Sequence, residues 1–212
     1  LTKGTEGNNM TEFGLLQKKG IIAFTDGIKS IQNSRLMSRI MRSAFDLDCL
    51  IMQHAEDSEL SKNGMMNDGA IATKLGLQGI PDVAEKIIIE RDLSLLEDFN
   101  CRYHISQISS SKSLDVIYKK KDQINFTSGV SINNLSLNEN DIGDFRTFLK
   151  LSPPLRTEDD RQALIDGINK ELIDVIVSDH KPEDEESKRL TFSQAATGAS
   201  GIETLLPLSL EL

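Results

Sequence analysis

The sequence predicts an α/β fold built on a parallel β-sheet. Five short apolar runs alternate with longer amphipathic segments, and strands separated by helices in this way form βαβ units. Polar residues follow several of the strands, as they do at the mouth of a (β/α) barrel. No Gly-x-Gly-x-x-Gly stretch follows the first strand and no Gly-Lys-Ser/Thr loop is present, which argues against dinucleotide-binding and P-loop folds. Five visible strands therefore predict an incomplete barrel.

Short apolar runs define the predicted strands. Their ranges are 20–26, 48–57, 101–109, 124–131 and 173–179. The first ends in Asp26, the second leads into His54, and the last ends in Asp179. Because parallel strands end at one edge of a sheet, these side chains are expected to share a rim.

Helical spacing of apolar residues defines the predicted helices. Their ranges are 34–46, 80–99, 111–122 and 157–172. The first is expected to bury Leu36, Ile40, Met41 and Ala44. The second begins at Pro81 and is expected to bury Ile87, Leu95 and Leu96. The third ends in basic residues, which suits the helix dipole, and the fourth opens with a Thr157 cap followed by acids.

Composition limits the classes of function. With 38% hydrophobic and 27% charged residues, the chain is expected to fold around a core. A net charge of −9 argues against nucleic acid as the main partner, because phosphate recognition needs a basic surface. No apolar run is long enough to cross a membrane, and "LTKGTEGNNMTEFG" lacks the core of a signal peptide. Cys49 and Cys101 are therefore expected to be buried reduced thiols in a cytoplasmic protein.

The two ends of the chain suggest a piece of a larger protein. It begins with Leu1 rather than Met, and it ends in "GIETLLPLSLEL" without a helix stop signal. We expect residues 1–212 to form a partial barrel of a larger domain, with N-terminal and C-terminal parts missing.

Imidazole and carboxylate groups at strand ends suggest a metal or proton-transfer site. The three histidines, His54, His104 and His180, all lie in or directly after strands, and Asp26 and Asp179 hold equivalent places. Such groups bind a divalent ion, which lowers the pKa of bound water to about 7. Each histidine taken alone is more often a structural one with its hydrogen bonds satisfied, so both interpretations stay open.

Three loops have alternative interpretations. The charged run "KPEDEESKR" is most simply a solvated loop. In the rigid turn "SPPLR", Arg156 could pair with a substrate carboxylate or form a surface ion pair. The glycines of "GASGIET" could let the backbone approach a ligand, or could form a plain turn before a helix.

Six stretches together resemble one family. "SDHKPEDEESKR", followed by "TGASGIETLLPLSLEL", resembles the "TDHAPH…K…GxxGxET-LPL" end of the dihydroorotases, in the cyclic amidohydrolase superfamily. The other five resemblances are "SPPLR" to "NPPLR", "QHAEDSEL" to "HCED", "LGLQGIPDVAE…RD" to "LGLxGxPxxAE…RD", "RYHISQIS" to "YHVCHVS", and "IAFTDG" to "AFSDDG". They occur in the family's order along nearly the whole chain, which makes the resemblance specific.

The resemblance implies an amidohydrolase-type TIM barrel, cytoplasmic pyrimidine biosynthesis, and reversible closure of N-carbamoyl-L-aspartate to dihydroorotate. It implies a zinc-activated water with an aspartate as general base. It also implies association of the protein with itself or with aspartate transcarbamoylase. By position, Asp26 and His54 match metal ligands, and Asp179 matches the aspartate that binds the metal and acts as the catalytic base.

Other positions depart from the family pattern. Gln107 stands where a histidine ligand is expected, and Ser152 and Glu183 stand where an asparagine and a histidine contact substrate. Gly198 is a weaker candidate for a substrate contact. "SINN" at 131–134 replaces "TPHH", and the family's His-x-His-x-Arg motif would precede Leu1.

These departures leave two main hypotheses for the function. A neutral Gln107 amide is a poor zinc ligand, and the Glu183 carboxylate would repel an acidic substrate. The protein is then either an active dihydroorotase or an inactive homologue that serves as a structural partner of aspartate transcarbamoylase. A cyclic amidohydrolase acting on a hydantoin-like ring fits "SPPLR" and "GIETLLP" less well.

Overall fold

The computed structural model describes residues 1–212 and contains seven β-strands. In chain order they are β1 (Ala23–Phe24), β2 (Leu50–Gln53), β3 (Met66–Asn67), β4 (Gly79–Ile80), β5 (Arg102–Ile108), β6 (Thr127–Ser131) and β7 (Val175–Val177). Five of them form a parallel sheet in the order β1-β2-β5-β6-β7, and β3 pairs with β4 in a separate two-stranded sheet. The predicted parallel α/β fold is therefore confirmed.

Nine α-helices accompany the strands. They are α1 (Phe13–Gln17), α2 (Ser34–Asp46), α3 (Ala70–Leu75), α4 (Val83–Phe99), α5 (Ser111–Lys120), α6 (Ile132–Ser136), α7 (Glu158–Asn169), α8 (Glu185–Lys188) and α9 (Leu205–Ser209). Short 3-10 turns occupy Lys3–Thr5, Glu139–Ile142 and Thr147–Leu149. Helices α2, α4, α5 and α7 pack on one another in the order of the strands that they connect. One layer of helices beside one parallel sheet is consistent with a partial barrel.

The four predicted helices and five predicted strands are present, and most have shorter bounds than predicted. Helix α2 has the predicted limits and buries the predicted residues, whereas the first strand shrinks from 20–26 to Ala23–Phe24. On α4 the prediction for Ile87 is wrong: this side chain is exposed, and Ile88, Ile89 and Leu93 face the core instead. The error arises because three consecutive isoleucines leave the helical phase ambiguous.

Local capping explains where three helices begin. The side chains of Asn33 and Ser110 accept backbone N–H groups at the starts of α2 and α5. Thr157 and Asp160 form a reciprocal capping box at the start of α7, as the sequence predicted for Thr157. These caps place the helix starts just beyond the strand ends, where the candidate site lies.

The main core lies between the sheet and the helices. On β5, Tyr103 and Ile105 point towards the helices, and the Tyr103 hydroxyl donates to buried Asp92 of α4 at 2.7 Å. Cys49 and Cys101 are buried free thiols in this core, as predicted, and burial raises the pKa of Cys101 to about 11. Among the helices, none is both long enough and apolar enough to cross a bilayer.

Candidate functional site

The predicted site residues lie at one edge of the sheet. Asp26 follows β1 by two residues, His54 directly follows β2, and Asp179 follows β7 by two residues. Gln107 is the penultimate residue of β5. Because all five strands run parallel, these positions share the carboxyl-terminal rim, where barrel enzymes place their sites.

Asp26 is buried and its carboxylate is fully engaged. One oxygen accepts the backbone N–H of Thr2 at 2.8 Å, and the other accepts the Thr2 hydroxyl.

His54 is buried, and neither nitrogen of its ring has a hydrogen-bond partner. Its backbone carbonyl accepts the Ser30 hydroxyl, which holds the main chain at this point. Burial lowers the pKa of the imidazole, and the Glu85 carboxylate opposes that shift. The ring is therefore held neutral, with a donor and an acceptor both unused.

Asp179 is half-buried at the end of β7, in a left-handed backbone conformation with φ of 48°. Burial raises the pKa of its carboxyl group. The Gln107 amide, the Lys181 ammonium and the Ser131 hydroxyl interact with this carboxyl group and oppose the shift. The structure therefore brings together Gln107 and Asp179, two positions that the sequence placed at separate strand ends.

The three predicted substrate-contact positions differ in burial and in their neighbours. Ser152 is half-buried at the start of the "SPPLR" turn, and Gly198 is buried with φ of 137°. Glu183 is half-buried, and its carboxylate lies 3.5 Å from the Lys181 ammonium. The negative charge that Glu183 brings to the rim is therefore partly balanced by a neighbour two residues away.

Asn133 and Asn134 are buried at the start of α6, beyond the end of β6. The amide nitrogen of Asn134 donates to the carbonyl of Pro154 at 2.9 Å, which ties α6 to the "SPPLR" turn. The amide nitrogen of Asn133 and the amide oxygen of Asn134 have no partner. With His54, these residues make the middle of the rim rich in buried polar atoms that are not satisfied.

Arg156 corrects the surface ion-pair interpretation, because it is buried and forms no ion pair, whereas pairing with a substrate carboxylate stays a prediction. It is buried and donates to the Ser109 hydroxyl at 3.1 Å, the Asn67 amide oxygen at 2.9 Å and the Ile80 carbonyl at 2.5 Å. Arg156 thus joins the "SPPLR" turn to β3, β4 and the end of β5.

Glu85 was missed by the sequence reasoning. This buried residue in the first turn of α4 accepts both the backbone N–H and the hydroxyl of Ser109. The Ser109 hydroxyl in turn accepts from Arg156, so Glu85 and Arg156 meet through one serine. The sequence signal was an acid in the first turn of a helix, which is too common to indicate a rim contact.

The charged run at 181–189 is also a correction. It was expected to be a solvated loop, but it contains α8, and Lys188 at the end of that helix is buried. Asp184 caps α8 by accepting the backbone N–H of Ser187 at 2.8 Å. The high charge density hid a short helix whose last residue turns inward.

The residues present do not fit a zinc site. Within residues 1–212, no group of three or more His, Cys, Asp or Glu side chains lies close enough together to hold a metal ion. His54 offers free ring nitrogens, but both Asp26 oxygens are occupied by Thr2, and the amide of Gln107 is a poor zinc ligand. That Asp26, His54 and Asp179 bind metal stays a prediction.

Comparison with known proteins identifies the family. Residues 1–113 match the family model described as dihydro-orotase-like. The chain is 41% identical over 207 residues to a dihydroorotase of Ehrlichia canis, covering 97% of this chain and 46% of that protein. It is 38% identical to a dihydroorotase of Desulforapulum autotrophicum, covering 100% of this chain and 50% of that protein. The chain thus spans about half the length of these relatives.

Solved structures show the same fold. An L-hydantoinase of Arthrobacter aurescens superposes with a TM-score of 0.77 at 21% identity, covering 94% of this chain and 47% of that chain. A dihydroorotase of Saccharomyces cerevisiae in complex with 5-fluoroorotic acid superposes with a TM-score of 0.70 at 14% identity, covering 100% and 59%. At these identities the likeness concerns the fold of amidohydrolase TIM barrels and does not distinguish between ring substrates. From the family model and the sequence relatives together, the chain belongs to the dihydroorotase family of cyclic amidohydrolases.

Proposed function

We propose that the complete protein is a catalytically inactive dihydroorotase homologue that acts as a structural partner of aspartate transcarbamoylase. The observation that carries the proposal is the pairing at the end of β7. A neutral Gln107 amide interacts with the Asp179 carboxyl group at the position where the resemblance implies an imidazole ligand.

The chemistry of Gln107 supports the loss of metal binding. An amide offers zinc only a weakly donating oxygen, whereas imidazole nitrogen is among the ligands that zinc prefers. An amide nitrogen near the carboxyl group also favours its charged form without an ion, and the Gln107 amide opposes the burial that raises the pKa of Asp179. Both points support a site that does not depend on a metal at Asp179.

Two changed substrate positions support the same conclusion. Carbamoyl aspartate carries carboxylates, so a site for it should present positive or neutral groups. Glu183 presents a carboxylate instead, balanced by Lys181 at 3.5 Å. Ser152 offers a shorter side chain than the asparagine that the resemblance implies there, and it cannot supply the two amide donors.

The choice of aspartate transcarbamoylase rests on the resemblance to inactive dihydroorotase homologues that are thought to accompany that enzyme. Association of the protein with itself is also expected from the resemblance. Both are predictions about the complete protein, of which these residues correspond to about half.

A combined metal, activity and binding experiment on the complete protein tests the proposal. We expect well under about one zinc per chain by elemental analysis, no ring opening of dihydroorotate above the blank, and co-elution with the transcarbamoylase of the same organism. The matched variant Gln107→His should raise zinc content, since it restores the missing donor. Stoichiometric zinc with measurable ring opening in the unmodified protein would overturn the proposal.

A second candidate, an active dihydroorotase, is favoured by His54. Its two ring nitrogens are buried without hydrogen-bond partners, so either nitrogen could coordinate a metal ion. In this alternative, Asp179 would accept and return the proton of the ring-closing reaction, and burial raises the pKa of its carboxyl group. Donors missing from the site would have to come from chain outside residues 1–212. Ring opening that is abolished by Asp179→Asn would favour this candidate.

A further inference from the structure

Three lysines hold one segment of the rim by its backbone. Lys150 donates to the carbonyls of Phe192, Ser193 and Ala195 at 2.9, 3.0 and 2.9 Å. Lys188 donates to the carbonyls of Ala196 and Gly198 at 2.8 and 2.7 Å, and Lys181 donates to that of Thr197 at 2.7 Å. We call residues 191–201 the rim loop.

Burial makes two of these lysines unusual. Lys150 is 8% exposed and Lys188 is 3% exposed, whereas lysine is almost never fully buried unless it is paired. Neither forms a carboxylate ion pair, so backbone carbonyls are the partners that compensate for the loss of water. All three hydrogens of the Lys150 ammonium are used by the rim loop.

The rim loop in turn packs against the segment that carries Asp179. The Lys181 N–H donates to the Ala199 carbonyl at 2.9 Å, and His180 and Ala199 form a parallel β-bridge. The His180 Nδ1 accepts the backbone N–H groups of Gly201 at 3.2 Å and Ile202 at 3.3 Å. The backbone on the carboxyl side of Asp179 is therefore held by the rim loop.

Two glycines make this contact as close as backbone allows. A Cβ atom at Gly198 would meet the Lys181 carbonyl oxygen at 2.5 Å, and one at Gly201 would lie well inside contact distance of the Ser178 carbonyl oxygen. Asp179, with its left-handed φ, lies between Ser178 and Lys181, the two residues whose carbonyl oxygens make these close contacts. A non-glycine residue in that conformation persists only where its surroundings enforce it.

We propose that Lys150 and Lys188 are positioning residues, which lock the rim loop against the end of β7 and thereby fix the backbone of Asp179. The lysines act through the loop and contact no reacting group. The rim loop is then a preset wall of the site and does not act as a moving lid. This role does not depend on whether the protein turns over a substrate.

Hydrogen exchange on the complete protein tests the lock. In Lys150→Met and Lys188→Met, amides of Lys181, Ala196 and Gly198 should exchange at least about tenfold faster, because each donates within the held region. The matched control Lys119→Met changes an exposed lysine of α5 and should leave these rates unchanged. Exchange across β5 should stay constant in all three variants.

The His180 imidazole gives a local spectroscopic readout that a general loss of stability would not move. With two N–H groups donating to Nδ1, the ring at about pH 8 should be in the single tautomer that is protonated at Nε2. Its ¹⁵N signals should show that tautomer in the unmodified protein and in Lys119→Met, and a mixture in Lys150→Met. Folded Lys150→Met and Lys188→Met variants with unchanged exchange and an unchanged His180 tautomer would overturn the proposal.

Chemical modification of the unmodified protein decides the matter if the variants do not fold. Lys150 and Lys188 should be acetylated by a small reagent at least about tenfold more slowly than Lys119, because their nitrogens are buried and saturated with hydrogen bonds. Equal rates at the three lysines would overturn the lock.

Discussion

The middle of the rim and the end of β7 are organised in opposite ways. Around His54 and Asn133, buried polar atoms have no protein partner. Near Asp179, the polar groups have hydrogen-bond partners: Lys150 and Lys188 donate to backbone carbonyls, and the His180 Nδ1 accepts the Gly201 N–H. An unmatched buried polar group costs about 1–3 kcal/mol, so the middle of the rim carries a cost in stability that the end of β7 does not.

Removing Arg156 should have the largest effect, because Arg156 joins the "SPPLR" turn to β3, β4 and the end of β5. Arg156→Met leaves Ser109, Asn67 and the Ile80 carbonyl without their donor, so the free energy of unfolding should fall by about 3 kcal/mol or more. Urea denaturation of the complete protein measures this. Arg189→Met, which changes an exposed arginine, should stay within about 0.5 kcal/mol of the unmodified protein, and equal losses in both variants would contradict the prediction.

The second largest effect is expected from Gly201→Ala, which should strain the contact between the rim loop and the end of β7. Its Cβ would press on the Ser178 carbonyl oxygen, and separating two backbone segments should lower the free energy of unfolding by about 2 kcal/mol. At Gly14 the nearest atom to an added Cβ is 3.9 Å away, so Gly14→Ala is the control and should cause no loss. If thermal or urea unfolding shows Gly201→Ala to be as stable as Gly14→Ala, the rim loop can move to accommodate the added Cβ, and the prediction is wrong.

Replacing His54 should move stability in the opposite direction. Because both ring nitrogens lack partners, His54→Leu removes buried polarity and should raise the free energy of unfolding of the metal-free protein by about 1 kcal/mol. His104→Leu is the comparison, since His104 Nδ1 is bonded to the Thr127 hydroxyl at 2.8 Å and its loss should destabilise. A loss of stability in His54→Leu as large as that in His104→Leu would mean that His54 has a partner after all.

The smallest expected effect is a pH dependence from His104. Burial lowers its pKa below 6.5, with Asp174 opposing, so the unfolded chain binds this proton more readily than the folded one. Stability contributed by the neutral ring should be lost as pH falls below the unfolded value of 6.5. His104→Gln lacks this loss. In urea titrations, the free energy of unfolding of the variant should therefore rise relative to that of the unmodified protein as the pH falls from about 7.5 to about 5.5. A difference that is constant with pH would contradict the shift.

Sequence periodicity and capping predicted the helices of the main layer well. Helix α2 has its predicted limits, and Thr157 caps α7 as expected, because both features depend on residues within a few positions of one another. Strand ends were less well predicted: the range 20–26 became Ala23–Phe24, since strand length depends on the partner strand. On α4, tertiary packing decided which isoleucines face the core.

The sequence by itself determined the parallel α/β class, the family, and the strand ends that carry Asp26, His54 and Asp179. Each of these follows from local patterns and from short motifs in a conserved order along the chain. Only the tertiary structure decided that Gln107 meets Asp179, that Arg156 is buried, and that Lys150 and Lys188 hold the rim loop. Those contacts join residues far apart in sequence, and whether a charged side chain turns inward depends on the partners that folding brings to it.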